Sequence, residues 1–141
     1  MTQEIATTPI KPKLTESEKI TINLGFVDLG QIDLLVSEGF YSNRTDLIRT
    51  AIRNQLSTHS EVVKQVIARK MLVLGLQHFS ADDLRAVQAA RQTLQIRVLG
   101  LAVIAPDVTP ELALATISSL EVLGALQASP AVKTALASRL R

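Results

Sequence analysis

The chain has 141 residues, of which 47% are apolar and 20% are charged, so it can bury a core and is not disordered throughout. It contains no cysteine, which excludes disulfides, thiolate metal sites and cysteine nucleophiles. The formal net charge is only +2, and residues 1–60 carry six Lys or Arg against seven Asp or Glu. Charge alone therefore predicts no nucleic-acid partner.

The N-terminal residues show no regular pattern. Residues 1–18 have no hydrophobic period and contain Pro9 and Pro12, which predicts a flexible N-terminal arm. They also lack the apolar stretch of a secretory signal, and no apolar run in the chain approaches the ~20 residues that span a bilayer. We therefore expect a cytoplasmic protein without membrane contact. The absence of cysteine fits a reducing compartment.

Residues 19–58 predict one strand followed by two helices. Polar and apolar residues alternate from Lys19 to Leu24, as in a half-buried strand. A helical period then runs from Val27 to Glu38, and Gly39 is placed to end this helix in the left-handed conformation. A second helix is predicted to begin at Ser42 as N-cap, with an apolar stripe that continues to Leu56.

A single strand with two helices cannot be stable alone. Both edges of the strand lack hydrogen-bond partners, and about forty residues bury too little apolar area to offset ordering. Pairing the strand with its copy in a second chain solves both problems. We therefore predict an intertwined dimer with a two-stranded antiparallel ribbon over four helices. Its core is expected to contain Ile20, Ile22, Leu24, Leu35, Ile48 and Ile52.

Residues 59–141 contain a threefold repeat. Val-Leu-Gly recurs with its glycine at Gly75, Gly100 and Gly124, and a helix-start signal follows each copy. The predicted helices are Asp82–Thr93, Pro110–Ser119 and Pro130–Leu140. The apolar runs Met71–Leu76 and Ile96–Ile104 do not alternate, which favours strands covered on both faces. We predict a short β/α solenoid-like repeat domain with a small parallel sheet, and residues 60–70 fit either a helix or an extended entry to it.

The N-terminal pattern resembles a known family. The strand Ile20–Leu24, followed by the stretch Gly39-Phe40-Tyr41-Ser42-Asn43-Arg44-Thr45-Asp46-Leu47-Ile48-Arg49, is similar to the ribbon-helix-helix (MetJ/Arc/CopG) superfamily of DNA-binding proteins, and is CopG-like. The resemblance covers about forty of the 141 residues. It implies a dimer that inserts its β-ribbon into the major groove of double-stranded DNA.

The resemblance also implies roles for individual residues. Lys19, Thr21 and Asn23 lie on the polar face of the strand and are expected to contact bases, for which their donors and acceptors are suited. Ser42 and Asn43, at the start of the second helix, are expected to bind a backbone phosphate, with Arg44 as a further phosphate contact. Lys11 and Lys13 of the arm could also reach phosphates. The alternative is that the three strand residues form only a solvated face.

The sequence contains no recognisable catalytic or metal-binding constellation, so we expect neither an enzyme nor a cofactor. The hypothesis is a sequence-specific transcriptional regulator, most simply a repressor, located at the bacterial nucleoid. Residues 59–141 are expected to serve protein contacts, either self-association of dimers into tetramers or larger assemblies, or docking of a protein partner. The alternatives are an antitoxin or plasmid-maintenance protein of the same fold, and a non-DNA scaffold that uses the ribbon-helix-helix unit only to dimerise.

Overall fold

The computed structural model describes residues 17–141 and divides the chain into two units, residues 1–44 and residues 45–141. All but the last two residues of the predicted arm 1–18, including Lys11 and Lys13, lie outside the described residues. This division of a single chain does not test the predicted boundaries 1–18, 19–58 and 59–141. They stay predictions.

The described part of the first unit contains helix α1 (Phe26–Ser37) and the segment before it. The helix ends as predicted, because Gly39 adopts a φ of 86° and the N–H of Phe40 donates to the carbonyl of Leu35 at 3.0 Å. Residues 17–25 form neither a helix nor a strand ladder within the chain. A strand ladder requires a hydrogen-bonded neighbouring strand. The strand predicted for Lys19–Leu24 would find that neighbour in a second chain, so it stays a prediction.

Two consecutive helices follow, α2 (Arg44–Thr58) and α3 (Ser60–Lys70). Residues 60–70 are therefore helical rather than extended. Met71 ends α3 in the left-handed conformation, with a φ of 55°. No residue of α1, α2 or α3 is buried within the described chain. These three helices consequently have no hydrophobic core of their own.

The second unit continues with a parallel three-stranded sheet in the order β1-β2-β3, formed by Val73–Phe79, Leu94–Ile104 and Ile117–Gln127. The sequence repeats pair in register: Gly75 lies opposite Gly100, which in turn lies opposite Gly124. A helix follows each strand: α4 (Ala81–Ala89), α5 (Pro110–Thr116) and α6 (Pro130–Leu136). The predicted small parallel sheet of strand–helix repeats is present.

Each of these helices begins at the signal that the sequence shows. The hydroxyl oxygens of Thr109 and Ser129 accept from the backbone N–H three residues later, with Pro110 and Pro130 at the first helical position. Ser80 forms a reciprocal capping box with Asp83. The three helices pack on one face of the sheet and form the core with it. This core contains Ala81, Leu84, Ile96, Val98, Ala102, Ile104, Val108, Ala113, Ile117, Leu120, Val132 and Leu136.

The predicted ends of these helices were wrong, because tertiary contacts terminate them earlier. The helix predicted as Asp82–Thr93 ends at Ala89, and Arg91 then turns the chain with a φ of 56°. The helix predicted as Pro110–Ser119 ends at Thr116, because Ile117 is fully buried as the first residue of β3.

The last helix and the first strand also differ from their predicted bounds. The helix predicted as Pro130–Leu140 ends at Leu136, a 3-10 turn occupies Ala137–Arg139, and Leu140 forms a parallel bridge with Leu120 of β3. The strand predicted as Met71–Leu76 begins at Val73, because Met71 terminates α3.

The sequence predicted strands that are covered on both faces, and within the described residues the helices cover only one face. Side chains on the face opposite α4, α5 and α6 are exposed on the outer strands: Leu74 is 67% exposed, Leu76 46% and Leu123 47%. On the central strand, Leu101 is only 9% exposed because its neighbours flank it. The described chain thus has a sheet with one helix-covered face and one open apolar face.

The repeated glycines set the close approach between neighbouring strands. Gly100 and Gly124 have φ values of 140° and 121°, which L side chains rarely adopt. A Cβ on Gly100 would overlap the backbone carbonyl oxygen of Gly75, and one on Gly124 would overlap that of Gly100. Gly100 and Gly124 therefore allow the strands to pack tightly.

We expect Gly100→Ala to destabilise the second unit more than Gly75→Ala. Both changes place alanine at a positive φ, but only the first creates an overlap with backbone, since nothing lies within 4 Å of the Cβ position of Gly75. The strain of the backbone costs roughly 1–3 kcal/mol in each variant, and the overlap adds about 2 kcal/mol or more in Gly100→Ala. Thermal and denaturant unfolding followed by circular dichroism would measure both. Equal losses would contradict the close-approach role.

Candidate nucleic-acid interface

The segment before α1 exposes both of its faces within the described chain. Lys19, Thr21 and Asn23, the predicted base-contacting residues, are exposed. The apolar residues between them are exposed as well: Ile20 by 72%, Ile22 by 59% and Leu24 by 37%. The polar face is accessible to solvent, as base contacts require. The apolar face is also exposed in the single chain, and the predicted second chain would cover it.

The helices that follow also expose apolar side chains. Of the predicted core residues on α1 and α2, Leu35 and Ile48 are half-buried and Ile52 is 48% exposed. Further apolar side chains on or beside these helices are exposed, namely Phe26, Val27, Leu34, Phe40 and Leu56. So many exposed apolar residues on short helices are typical of a protein–protein interface.

The predicted phosphate-contacting residues lie together where α2 begins. Ser42, Asn43 and Arg44 are consecutive and exposed. The helix starts at Arg44, so Asn43 rather than Ser42 directly precedes it. The first backbone N–H groups of a helix lack partners within the helix, and the helix dipole favours an anion beside them. The phosphate contact expected at the start of α2 stays a prediction.

Arg44 is held by an ion pair that the sequence analysis missed. Its Nε and Nη2 atoms donate to the two carboxylate oxygens of Asp33 on α1, each at 2.8 Å. Both side chains are about half exposed. This bidentate arrangement holds the guanidinium in one plane and reduces the positive charge that the start of α2 presents to an anion.

The pair changes the titration of both partners. The hydrogen bonds from Arg44 lower the pKa of the Asp33 carboxyl below its ordinary value, and Asp33 raises the pKa of Arg44. The sequence could not single out Asp33, because it lies 11 residues before Arg44 and other acidic residues stand at comparable distances. Only the fold of the turn between α1 and α2 selects it.

The acidic residues of the second unit stabilise its local structure. Asp83 completes the capping box, and hydrogen bonds from the backbone and side chain of Ser80 lower the pKa of its carboxyl. Asp82 pairs with Arg85 at 2.9 Å, and Asp107 accepts from the backbone N–H of Ala81 at 3.2 Å. Among residues 17–141, His, Asp and Glu form no group that could hold a metal ion.

The exposed segment 19–24 and the start of α2 are the elements to which the resemblance assigns DNA contacts. The chain belongs to the Ribbon-Helix-Helix transcriptional regulator family, whose family model matches residues 15–133. It is accordingly a DNA-binding regulator of transcription. The match includes all three strands of the repeats and ends within α6, so the family pattern extends well beyond the forty residues that carried the resemblance.

Comparisons with curated proteins and with solved structures found no match. In the described part of the chain, no helix is both long enough and apolar enough to cross a membrane.

We expect Arg44→Gln to raise the pKa of Asp33 toward its ordinary value, because the variant loses the charge-assisted hydrogen bonds. The pKa of Asp33 is lower in the folded state than in the unfolded chain, where it is about 3.9. The ion pair therefore stabilises the fold at pH values above about 3.9. This stabilisation is lost as the pH falls through the folded-state pKa. Wild type and Arg44→Gln should thus differ in stability at neutral pH and converge in acid. Carboxyl carbon NMR titration and unfolding at several pH values would measure this.

The matched control is Arg49→Gln, which removes a positive charge from an exposed position of the same helix. This change should leave the titration of Asp33 as it is in the wild type. An unchanged Asp33 titration in Arg44→Gln would contradict the ion pair.

Proposed function

We propose that the protein is a sequence-specific transcriptional repressor that binds DNA as an intertwined homodimer. Residues 19–24 of two chains form an antiparallel ribbon in the major groove, where Lys19, Thr21 and Asn23 read bases. Ser42, Asn43 and Arg44 contact backbone phosphates beside the ribbon, and the strand–helix repeats form a solenoid-like domain for protein contacts. The observation that carries this proposal is the alternating segment 19–24, exposed on both faces in a chain of a DNA-binding family.

The lack of a core in the N-terminal helices supports the homodimer. No residue of α1, α2 or α3 is buried within the described chain, although leucine, isoleucine, valine and phenylalanine side chains are abundant there. Each Å² of apolar surface that is removed from water contributes about 25 cal/mol to the free energy of association. A second copy with the same apolar face supplies cover on both partners at once.

The charge distribution predicts that one dimer binds DNA with modest strength. Affinity for DNA rises with the number of phosphates that Lys and Arg neutralise. The N-terminal sixty residues carry slightly more acidic than basic groups, and Arg44 is already paired with Asp33. Specific binding therefore requires either exchange of Asp33 for a phosphate at Arg44, or several dimers on adjacent sites.

Two alternatives share the fold. An antitoxin or plasmid-maintenance protein would use the same ribbon and dock a partner through residues 59–141. A scaffold without DNA contacts would use the N-terminal unit only to dimerise, and the weak charge of residues 1–60 is the observation that favours it.

The DNA-reading role is tested with Lys19→Ala/Thr21→Ala/Asn23→Ala. The chain would first be used to select its preferred site from genomic fragments. We expect the triple variant to lose preference for this site, because each lost base contact costs roughly 1–3 kcal/mol. Fluorescence anisotropy with specific and non-specific duplexes at several salt concentrations would measure the loss.

The control for this test is Lys64→Ala/Gln65→Ala, which changes two exposed residues of α3. It should keep the wild-type preference. A wild-type protein that shows no site preference even at low salt would refute the regulator and favour the scaffold.

The intertwined dimer is tested with Ile22→Asp and its neighbour Thr21→Asp. Ile22 is 59% exposed in the single chain, so aspartate would be tolerated there unless a second chain buries it. In the ribbon, Ile22 faces the shared core and Thr21 faces DNA. We expect Ile22→Asp to halve the molar mass and reduce helicity, because an unpaired charge in the core is strongly destabilising.

Thr21→Asp should retain the wild-type mass while losing DNA binding. Light scattering after size-exclusion chromatography and far-UV circular dichroism would compare the two. Identical masses for Ile22→Asp, Thr21→Asp and the wild type would overturn the proposed ribbon.

A further inference from the structure

The sheet of the second unit has two long edges that lack the usual protection. Among the described residues, β1 pairs only with β2, and β3 pairs with β2 apart from the single bridge to Leu140. Edge strands are normally protected by charged residues or proline, which prevent association. Val73–Phe79 contains no Lys, Arg, Asp, Glu or Pro, and in β3 the one such residue, Glu121, precedes the stretch Val122–Gln127 and pairs with Lys70 at 3.1 Å. Both edges are therefore open to a further strand.

The hydrogen-bonding groups of these edges can be assigned from contacts in the chain. The carbonyl of Phe79 accepts from the N–H of Ala105, so Phe79 and alternate residues of β1 turn toward β2. Leu74, Leu76 and His78 consequently present their backbone groups outward. The carbonyl of Leu120 accepts from the N–H of Arg141 on the opposite edge, so Val122 and Gly124 present theirs outward on β3.

Gly75 has the same unusual backbone conformation as the glycines of β2 and β3. Its φ of 119° matches that of Gly124, and both lie in the region that L side chains rarely adopt. In the interior, such a glycine receives the carbonyl of the glycine on the preceding strand. At Gly75 the corresponding space is open, with no atom of residues 17–141 within 4 Å of the Cβ position. The β1 edge thus has the shape that admits one more parallel strand with a glycine at this level.

The strand that fits is β3 of a second copy. Its sequence Val122-Leu123-Gly124 repeats Val73-Leu74-Gly75, and the register within the chain pairs valine with valine and glycine with glycine. Continuing that register places the carbonyl of Gly124 of the second copy over the bare α-carbon of Gly75. The bridge from Leu140 reaches β3 at Leu120, two residues before the stretch that would face β1, so it leaves the joint clear.

The exposed leucines of the open face fit the same arrangement. Leu74 and Leu123 are 67% and 47% exposed, whereas Leu99, between them on β2, is half-buried. In the continued register, Leu123 of one copy lies beside Leu74 of the next. Each edge leucine then gains the neighbour that it lacks in the single chain.

We propose that the strand–helix domain associates head to tail, with the β3 edge of one copy pairing in parallel with the β1 edge of the next. The two edges differ, so the contact is heterologous and leaves a free edge at each end. One strand pair buries less than the roughly 800 Å² per partner of a stable interface. Linking two such domains in one dimer raises their effective concentration and offsets this weakness. This assembly rests on the homodimer proposed above but does not depend on DNA reading.

Charge exchange across the joint tests the proposal in the full-length chain. Leu74→Glu, Leu123→Lys and the double variant would be compared with the wild type by sedimentation velocity over a wide concentration range. The wild type should form species larger than a dimer as concentration rises. Each single change should weaken this association roughly tenfold or more, because it places an unpaired charge at the joint. The double variant should recover association, since the new carboxylate and ammonium then face each other.

Further outcomes decide against the proposal. If two β1 edges paired with each other instead, Leu123→Lys would still associate. Leu74→Glu would then lose association, and the double variant would not restore it. A wild type that remains a dimer at every concentration would also overturn the joint. So would a Gly75→Ala variant that associates as strongly as the wild type, because its methyl group would occupy the space proposed for the second copy. The single variants alter exposed residues, so circular dichroism should confirm that they fold. They should also bind DNA as the wild type does, which separates failure of the joint from failure of the regulator.

Discussion

The second unit depends on the contact between a strand's carbonyl oxygen and the bare α-carbon of a glycine on the next strand. Gly100 receives the carbonyl of Gly75 in this way, and Gly124 receives that of Gly100. The contact fixes the register of the three strands, because a shift of one residue would place a side chain against the carbonyl. Register in turn aligns the helix-facing residues Val98 and Val122, and so determines where α4, α5 and α6 pack.

The N-terminal residues have no corresponding internal constraint. Their helices form from local signals, such as the left-handed Gly39 after α1, but no residue of these helices is buried in the described chain. Ile20 and Ile22 are exposed beside Lys19, Thr21 and Asn23. In the proposed regulator, the apolar side chains therefore pack against a second chain, and the polar side chains contact a DNA duplex.

The ion pair between Arg44 and Asp33 links the electrostatics of the first unit to its proposed DNA contacts. A surface pair of this kind stabilises a fold by little, because solvent screens the two charges. Its larger effect is to neutralise a guanidinium at the start of α2, where a phosphate is expected to bind. Binding to DNA must then compete with Asp33, which agrees with the weak net charge of this part of the chain.

The sequence by itself determined the elements whose causes are local. It predicted the two N-terminal helices, the end of α1 at Gly39, the helix starts at Pro110 and Pro130, and the parallel pairing of the repeats, because caps, prolines and periodic apolar residues act within a few positions. It also identified the family through residues 19–53, and the family model confirmed it. The predicted base and phosphate contacts depend on a partner and stay predictions.

Tertiary structure decided what depends on distant neighbours. It ended α5 at Thr116, because burial of Ile117 in β3 outweighs the helical tendency of its flanking residues. It left one face of the sheet without helices, although the apolar runs predicted cover on both. It also chose Asp33 as the partner of Arg44 among the acidic residues of the described chain, since the turn between α1 and α2 brings that carboxylate within 2.8 Å. A sequence shows which residues can make such contacts, and the folded backbone determines which of them do.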